Sequence, residues 1–210
     1  MGKRLVTYSP KRVMERNFKT YPFDGKWREL LGCPSEDFSS IIYGKAKSGK
    51  STFCLRMAQY LADLTGKRVL YVAAEEGISQ TLQERISANN ITNNKVRFVK
   101  YRKIDDILWA IDRVRPRFTI FDSVQHIGMT IKDFIELKQS QGRKIRSWHL
   151  VHQVTKSGQY KGDEEWAHET DVKIELKNGI AYAEGRFNHP SKMVVLNKGI
   201  VTDPQQGSLF

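Results

Sequence analysis

The sequence predicts an α/β fold, a mostly parallel sheet flanked by helices and finished by a C-terminal antiparallel hairpin. Three observations predict it. Short apolar, β-rich runs alternate with helical stretches from Phe38 onward, a glycine-rich turn joins the first run to the first helix, and an Asn-Gly pair separates two late apolar segments.

The first strand covers residues 41–43, Ile-Ile-Tyr. The helix expected over 50–64 carries Phe53, Leu55, Met57, Ala58, Leu61 and Leu64 and ends at Thr65-Gly66, where glycine suits a helix C-terminus. A strand follows over 68–73, a helix over 78–88, an extended run over 96–99 and a helix over 104–114. The turn at Arg115-Pro116 precedes a strand over 118–121, since proline cannot continue a helix. A helix over 131–139 and a strand over 145–151 complete the alternation, and residues 172–176 and 180–183 flank Lys177-Asn178-Gly179 as a hairpin. These elements define a core over residues 38–197, a basic and aromatic N-terminal arm over 1–37, and a C-terminal tail over 198–210.

A chain of 210 residues can bury one substantial hydrophobic core. Hydrophobic residues make up 40% and charged residues 28%, the composition of a globular rather than a disordered protein. The 35 Lys and Arg against 23 Asp and Glu leave a formal charge of +12, which favours polyanionic partners such as nucleic acid. Lys3, Arg4, Lys11, Arg12, Arg16 and Lys19, interleaved with Tyr8, Phe18, Tyr21, Phe23 and Trp27, suit a nucleic-acid arm, or else a segment that wraps its own domain. Cys33 and Cys54 show no metal-ligand spacing, and Cys54 reads as a small buried side chain. No run of about 18 apolar residues occurs, and a cytoplasmic location is expected.

The strongest motif is Gly44-Lys45-Ala46-Lys47-Ser48-Gly49-Lys50-Ser51, which fits G-x-x-x-x-G-K-[ST] and continues into Thr52. It lies between an apolar strand and a helix. The glycines let backbone N–H groups face phosphates, and the helix N-terminus adds partial positive charge. Lys50 is expected to reach the β- and γ-phosphates of ATP, and the Ser51 hydroxyl to ligate Mg²⁺. Asp122 ends the apolar strand Phe118-Thr119-Ile120-Phe121 and suits the carboxylate that holds the metal, directly or through its water. Glu75 and Glu76 end another strand, at the edge where open α/β sheets place ligands, and either could polarise an attacking water.

With these residues in view the chain resembles the RecA-type ATPase core, closest to its RadA and DnaB-helicase branch. Four stretches carry the resemblance: the phosphate loop at 44–52, residues 70–77, residues 120–125, and Val151-His152-Gln153-Val154-Thr155-Lys156-Ser157-Gly158, continued by His168 and Asp171. The resemblance covers about residues 20–197. It implies a RecA-like fold, Glu75 as the water-activating glutamate, Asp122 as the Walker B aspartate and Gln153 as the sensor of the γ-phosphate. It also implies a hexameric ring or helical filament on DNA, single-stranded DNA favoured, with ATP between subunits and the turns after Asp122 and Gln153 facing the DNA. The RadA motif K-N-R-F-G appears as Glu184-Gly185-Arg186-Phe187-Asn188, which loses the lysine but keeps Arg186 as a candidate finger across a subunit interface, with Lys192 a further cation. The zinc module and the protease-like domain of RadA have no counterpart in the sequence.

The tail Gln206-Gly207-Ser208-Leu209-Phe210 resembles a sliding-clamp-binding peptide, with Gln206 and Ser208 setting register and Leu209 and Phe210 as apolar anchors. The leading functional expectation is a DNA-dependent ATPase of recombination, repair or replication. The alternatives are a nucleotide-switched adaptor or loader tethered to a clamp or helicase, and a KaiC-like regulatory ATPase that ignores DNA.

Overall fold

The computed structural model describes residues 6–140, 146–154 and 163–196. In chain order the elements are α1 (Pro10–Met14), α2 (Gly25–Leu31), β1 (Ser39–Gly44), α3 (Lys50–Thr65), β2 (Val69–Ala73), α4 (Gln80–Ala88), β3 (Val96–Val99) and α5 (Ile104–Val114). Then come β4 (Phe118–Asp122), α6 (Val124–Ile127), α7 (Ile131–Ser140), β5 (Ser147–Gln153), α8 (Asp163–His168), β6 (Val172–Lys177), β7 (Ile180–Gly185) and β8 (Asn188–Val194).

The eight strands form one sheet in the order β3-β2-β4-β5-β1-β6-β7-β8. From β3 through β6 every neighbouring pair is parallel, and β6, β7 and β8 pair antiparallel. The central strands read as continuous apolar runs because both faces are covered, and their alternating side chains feed two cores. Tyr71, Phe118, Ile120 and Val151 pack with α2 and α3 on one face. Leu70, Val72, Phe121 and Leu150 pack with α5, α6 and α7 on the other.

Helix α3 buries Phe53, Leu55, Met57, Ala58 and Leu61 with Cys54 beside them, and ends at Gly66 in the left-handed conformation. Helix α4 starts later than the periodicity indicated, because the Ser79 side chain caps it by accepting from the Leu82 N–H. The expected hairpin is present as β6 and β7, and a third antiparallel strand, β8, joins it at the sheet edge, where Pro190 removes no ladder donor from a neighbour.

The N-terminal segment also divides. Residues 6–19 are exposed, but Tyr21, Phe23, Leu30 and Leu31 are buried in the core, so the packed domain begins near Thr20 and not at Phe38. Thr20 bridges to Ser35, Tyr21 and Phe23 pack on Phe38, and the Tyr21 hydroxyl accepts from Arg117 Nε at 2.7 Å. This part of the segment wraps its own domain. The tail residues Gln206, Ser208, Leu209 and Phe210, with Thr155, Lys156, Ser157 and Gly158, lie outside the described residues. Among the described residues no helix is long and apolar enough to cross a membrane.

Candidate functional site

Strand order places four candidate positions side by side. Gly44 at the end of β1 is in register with Gln153 at the end of β5, and Ala73 near the end of β2 with Asp122 at the end of β4. Since β5 neighbours β4, the phosphate loop, Gln153, Asp122 and Glu75 share the C-terminal edge of four adjacent strands.

The loop itself needs its glycines. Gly44 has φ +155° and a side-chain carbon there would stand 2.3 Å from the Leu176 carbonyl oxygen; Gly49 has φ +107° and caps α3 in the left-handed region. Between them Lys47 also adopts positive φ, at 62°. Lys50, the first residue of α3, donates from Nζ to the carbonyls of Gly44 at 2.8 Å and Lys45 at 2.9 Å. Burial lowers its pKa, opposed by the negative charges of Asp122 and Glu75. The Ser48 Oγ is buried and has no hydrogen-bond partner among the described residues.

Asp122 is 4% exposed. Its burial raises the carboxyl pKa, while hydrogen bonds from Tyr71 and Ser51 pull it back down. The Tyr71 hydroxyl donates to Asp122 Oδ2, and Ser51, at the start of α3, lines the same cleft. The Asp122 carbonyl accepts from the N–H groups of Ala74 at 2.8 Å and Glu75 at 3.1 Å, which locks the end of β2 to that of β4. Arg102 adds a bond from Nε to the Ala74 carbonyl at 2.8 Å.

Glu75 and Glu76 then diverge. Gln153 Nε2 donates to Glu75 Oε1 at 2.9 Å, and His126 Nδ1 stands 4.0 Å from Glu75 Oε2. Gln153 is held in turn by Gln125, whose Oε1 accepts from its backbone N–H. Glu76 instead takes both its oxygens to Arg85 Nη1, at 2.8 and 2.9 Å, and burial raises its pKa against that neighbour. Lys50, Ser51, Thr52, Glu75, Asp122 and Gln153 thus line one cleft of about 530 Å³. Ala46, Lys47 and Gly49 join the lining, while Gly44, Lys45 and Ser48 face the opposite side of the loop.

Arg186 is not part of this cleft. Gly185 pairs with Val172 and Val172 with Ser40, which puts Arg186 at the opposite edge, its Nη1 3.2 Å from Asp171 Oδ1. Asp171 also accepts from the N–H and hydroxyl of Ser39, so this aspartate ties the start of β1 to the β7–β8 turn. Lys192 is exposed on β8. The sequence reading missed Arg85, Tyr71 and the Gln125–His126 layer. Tyr71 left one usable signal, a phenol inside a wholly apolar strand, which must find a polar partner when buried.

An oxygen donor set of one hydroxyl and one buried carboxylate matches a hard cation such as Mg²⁺ better than a soft one. Ser51 and Asp122 line the same cleft, so both oxygens are at hand for one ion.

No protein-family model matches the chain. It is 25% identical over 191 residues to the DNA repair protein RadA of Chlamydia trachomatis, covering 81% of this chain and 42% of that protein. It is 30% identical over 175 residues to RadA of Synechocystis sp., covering 70% and 34%. The chain therefore spans less than half the length of these relatives. Among solved structures it resembles a KaiC-like protein of Pyrococcus horikoshii, with TM-score 0.60 and 16% identity over 84% of this chain and 93% of that one. The flagellar accessory protein FlaH of Methanocaldococcus jannaschii aligns with TM-score 0.61 and 12% identity over 82% and 89%.

Proposed function

We propose that this chain, a RecA-superfamily ATPase core related to RadA, binds ATP with Mg²⁺ in the cleft at the C-terminal sheet edge and hydrolyses it in a DNA-dependent way. The observation that carries the reading is the Glu75–Gln153 pair held over the phosphate loop within reach of Lys50, Ser51 and Asp122.

Each residue has a role that its surroundings support. The backbone of residues 44–52 cradles the phosphates. Lys50 exchanges the Gly44 and Lys45 carbonyls for β- and γ-phosphate oxygens, stronger acceptors for an ammonium. Ser51 and Asp122 hold the metal, which when bound supplies positive charge across the β- and γ-phosphates. Glu75 orients the attacking water and accepts its proton. Glu76 is engaged by Arg85, so the two neighbouring carboxylates divide between catalysis and structure. Gln153 bridges Glu75 to the γ-phosphate position, so that it senses which nucleotide is present.

In this reading the chain assembles as a ring or filament on single-stranded DNA and acts in repair, recombination or replication. The +12 charge and the RadA likeness support a DNA partner. Arg186 would serve a neighbouring subunit's nucleotide, because its own site lies at the other edge. The test is ATP turnover with and without single-stranded DNA, in the wild type and in Glu75→Gln. DNA should stimulate turnover, and Glu75→Gln should lower it by roughly 10²-fold while ATP still binds. Turnover that ignores both DNA and the substitution rejects the reading; slow turnover that depends on Glu75 but not on DNA favours the nucleotide-switched adaptor.

A further inference from the structure

The N-terminal edge of the sheet has a chemistry of its own. Backbone hydrogen bonds stitch four neighbouring strand starts together: Val69 N–H to Lys95 O at 3.0 Å, Arg117 N–H to Arg68 O at 2.8 Å, and Ser147 N–H to Arg117 O at 2.9 Å. The strands are β3, β2, β4 and β5, adjacent in the sheet, and each is entered through basic residues. Lys95 precedes β3, Lys67 and Arg68 precede β2, Arg115 and Arg117 precede β4, and Arg146 precedes β5. All six line one cleft of about 960 Å³, in which Asp112 is the acid among the described lining residues.

Arg117 is engaged by Glu36 and Tyr21. Arg146 differs: it is 6% exposed, and its Nη1 is buried with no hydrogen-bond partner among the described residues. A buried guanidinium nitrogen without an acceptor among the described residues, in an open cleft where six cations outnumber Asp112, is the arrangement of a site that completes itself with an anion.

We infer that this edge binds the phosphodiester backbone of a nucleic acid, on the opposite side of the sheet from the nucleotide cleft. This goes beyond the ATPase reading and requires neither ATP nor turnover. Extent decides for a strand over a small anion. With neighbouring strands about 4.8 Å apart, the row of cations runs about 14 Å, too long for one phosphate group to span. An adjoining cleft of about 810 Å³ shares Arg68, Asp112 and Arg115 and extends the row with Arg97 and Arg113. The Arg113 guanidinium lies 5.6 Å from the centre of the Trp109 ring, which is 56% exposed. The backbone that carries these cations is fixed by the ladder at four adjacent strand starts.

The experiment measures binding of a fluorescein-labelled single-stranded 30-mer by anisotropy, without nucleotide, over a series of salt concentrations. Lys67→Gln/Arg68→Gln/Lys95→Gln removes three exposed cations whose side chains make no hydrogen bond or ion pair among the described residues. It should lower affinity about tenfold or more at 0.1 M salt and reduce the slope of log K against log salt by about 2, since each lost phosphate contact removes about 0.7. The charge-matched Lys26→Gln/Arg28→Gln/Lys132→Gln should stay within about twofold of wild type. The inference is overturned if the wild type does not bind the 30-mer, or if the two triple variants lose affinity equally. It is also overturned if inorganic tripolyphosphate displaces the 30-mer at equal phosphate concentration. Binding to phosphatidylglycerol vesicles that needs the three cations, while the 30-mer does not, would overturn it in favour of a lipid surface. Because nucleotide is absent throughout, any of these results leaves the Glu75 test standing.

Discussion

At the C-terminal ends of β1, β5, β4 and β2 most of the candidate side chains are partnered within the chain, whereas at the N-terminal ends of β3, β2, β4 and β5 cations collect around one lining acid among the described residues, Asp112. Glu75 has Gln153, Glu76 has Arg85, Asp122 has Tyr71 and Ser51, and Lys50 has two loop carbonyls. Arg146 offers a nitrogen with no acceptor among the described residues, and Lys67, Arg68 and Lys95 are exposed along the same cleft. Internal partners fix geometry before a small ligand arrives, which is what a transition state demands. A row with an excess of positive charge suits a partner whose recognition is mostly electrostatic and tolerant of position. One parallel sheet thus carries two kinds of preorganisation, one at each end of its strands.

Three substitutions test this contrast, in descending size of effect. Lys50→Ala removes the cation at the pre-arranged edge, and phosphate release should fall by about 10²–10³-fold, as when one oriented transition-state donor is lost. A fall of less than about fivefold would mean that the partnered edge is not where turnover occurs.

The sheet interior between the edges is probed by pH. His149 is fully buried on β5, bonded to Ser40 Oγ at 2.8 Å, and burial lowers its pKa to about 3. Only the unfolded chain therefore takes up the proton between pH 6.5 and 3, so the stability present above pH 6.5 is lost as pH falls. From pH 6.5 to 5 the loss attributable to this group should be about 2 kcal/mol by urea denaturation, and His149→Gln should remove that part of the pH dependence. An identical pH profile in the variant would contradict the assignment.

The smallest effect belongs to the basic edge. Arg146→Met keeps the aliphatic packing and removes the unpartnered nitrogens, so the ligand-free protein should gain about 1 kcal/mol while binding the 30-mer more weakly. A loss of stability would show that Arg146 is satisfied inside the fold, and the contrast between the edges would fail.

How much of this could be read beforehand depended on how locally each feature is encoded. The phosphate loop falls within eight consecutive residues, and Asp122 follows directly from the end of an apolar run. Strand β8 escaped notice because an edge strand with His189, Pro190, Ser191 and Lys192 has no apolar alternation to display. The segment from Tyr21 to Leu31 looked like an arm because basic and aromatic residues have the same composition whether they meet a nucleic acid or pack on Phe38 and Phe118. Residue type and spacing leave Glu75 and Glu76 equivalent, the family resemblance favours Glu75, and the positions of Gln153 and Arg85, 78 and nine residues away, give the two different partners.

By itself, then, the sequence determined the α/β alternation, the phosphate loop with Lys50 and Ser51, and the carboxylates at the strand ends, because each is set by backbone geometry over a few neighbouring residues. The tertiary structure alone decided which glutamate faces Gln153, that Tyr71 and Ser51 share Asp122, and that Arg186 stands at the far edge. It decided the basic edge for the same reason. Lys67, Lys95, Arg115 and Arg146 are separated by about twenty to thirty residues each along the chain, and only the strand order β3-β2-β4-β5 sets them side by side.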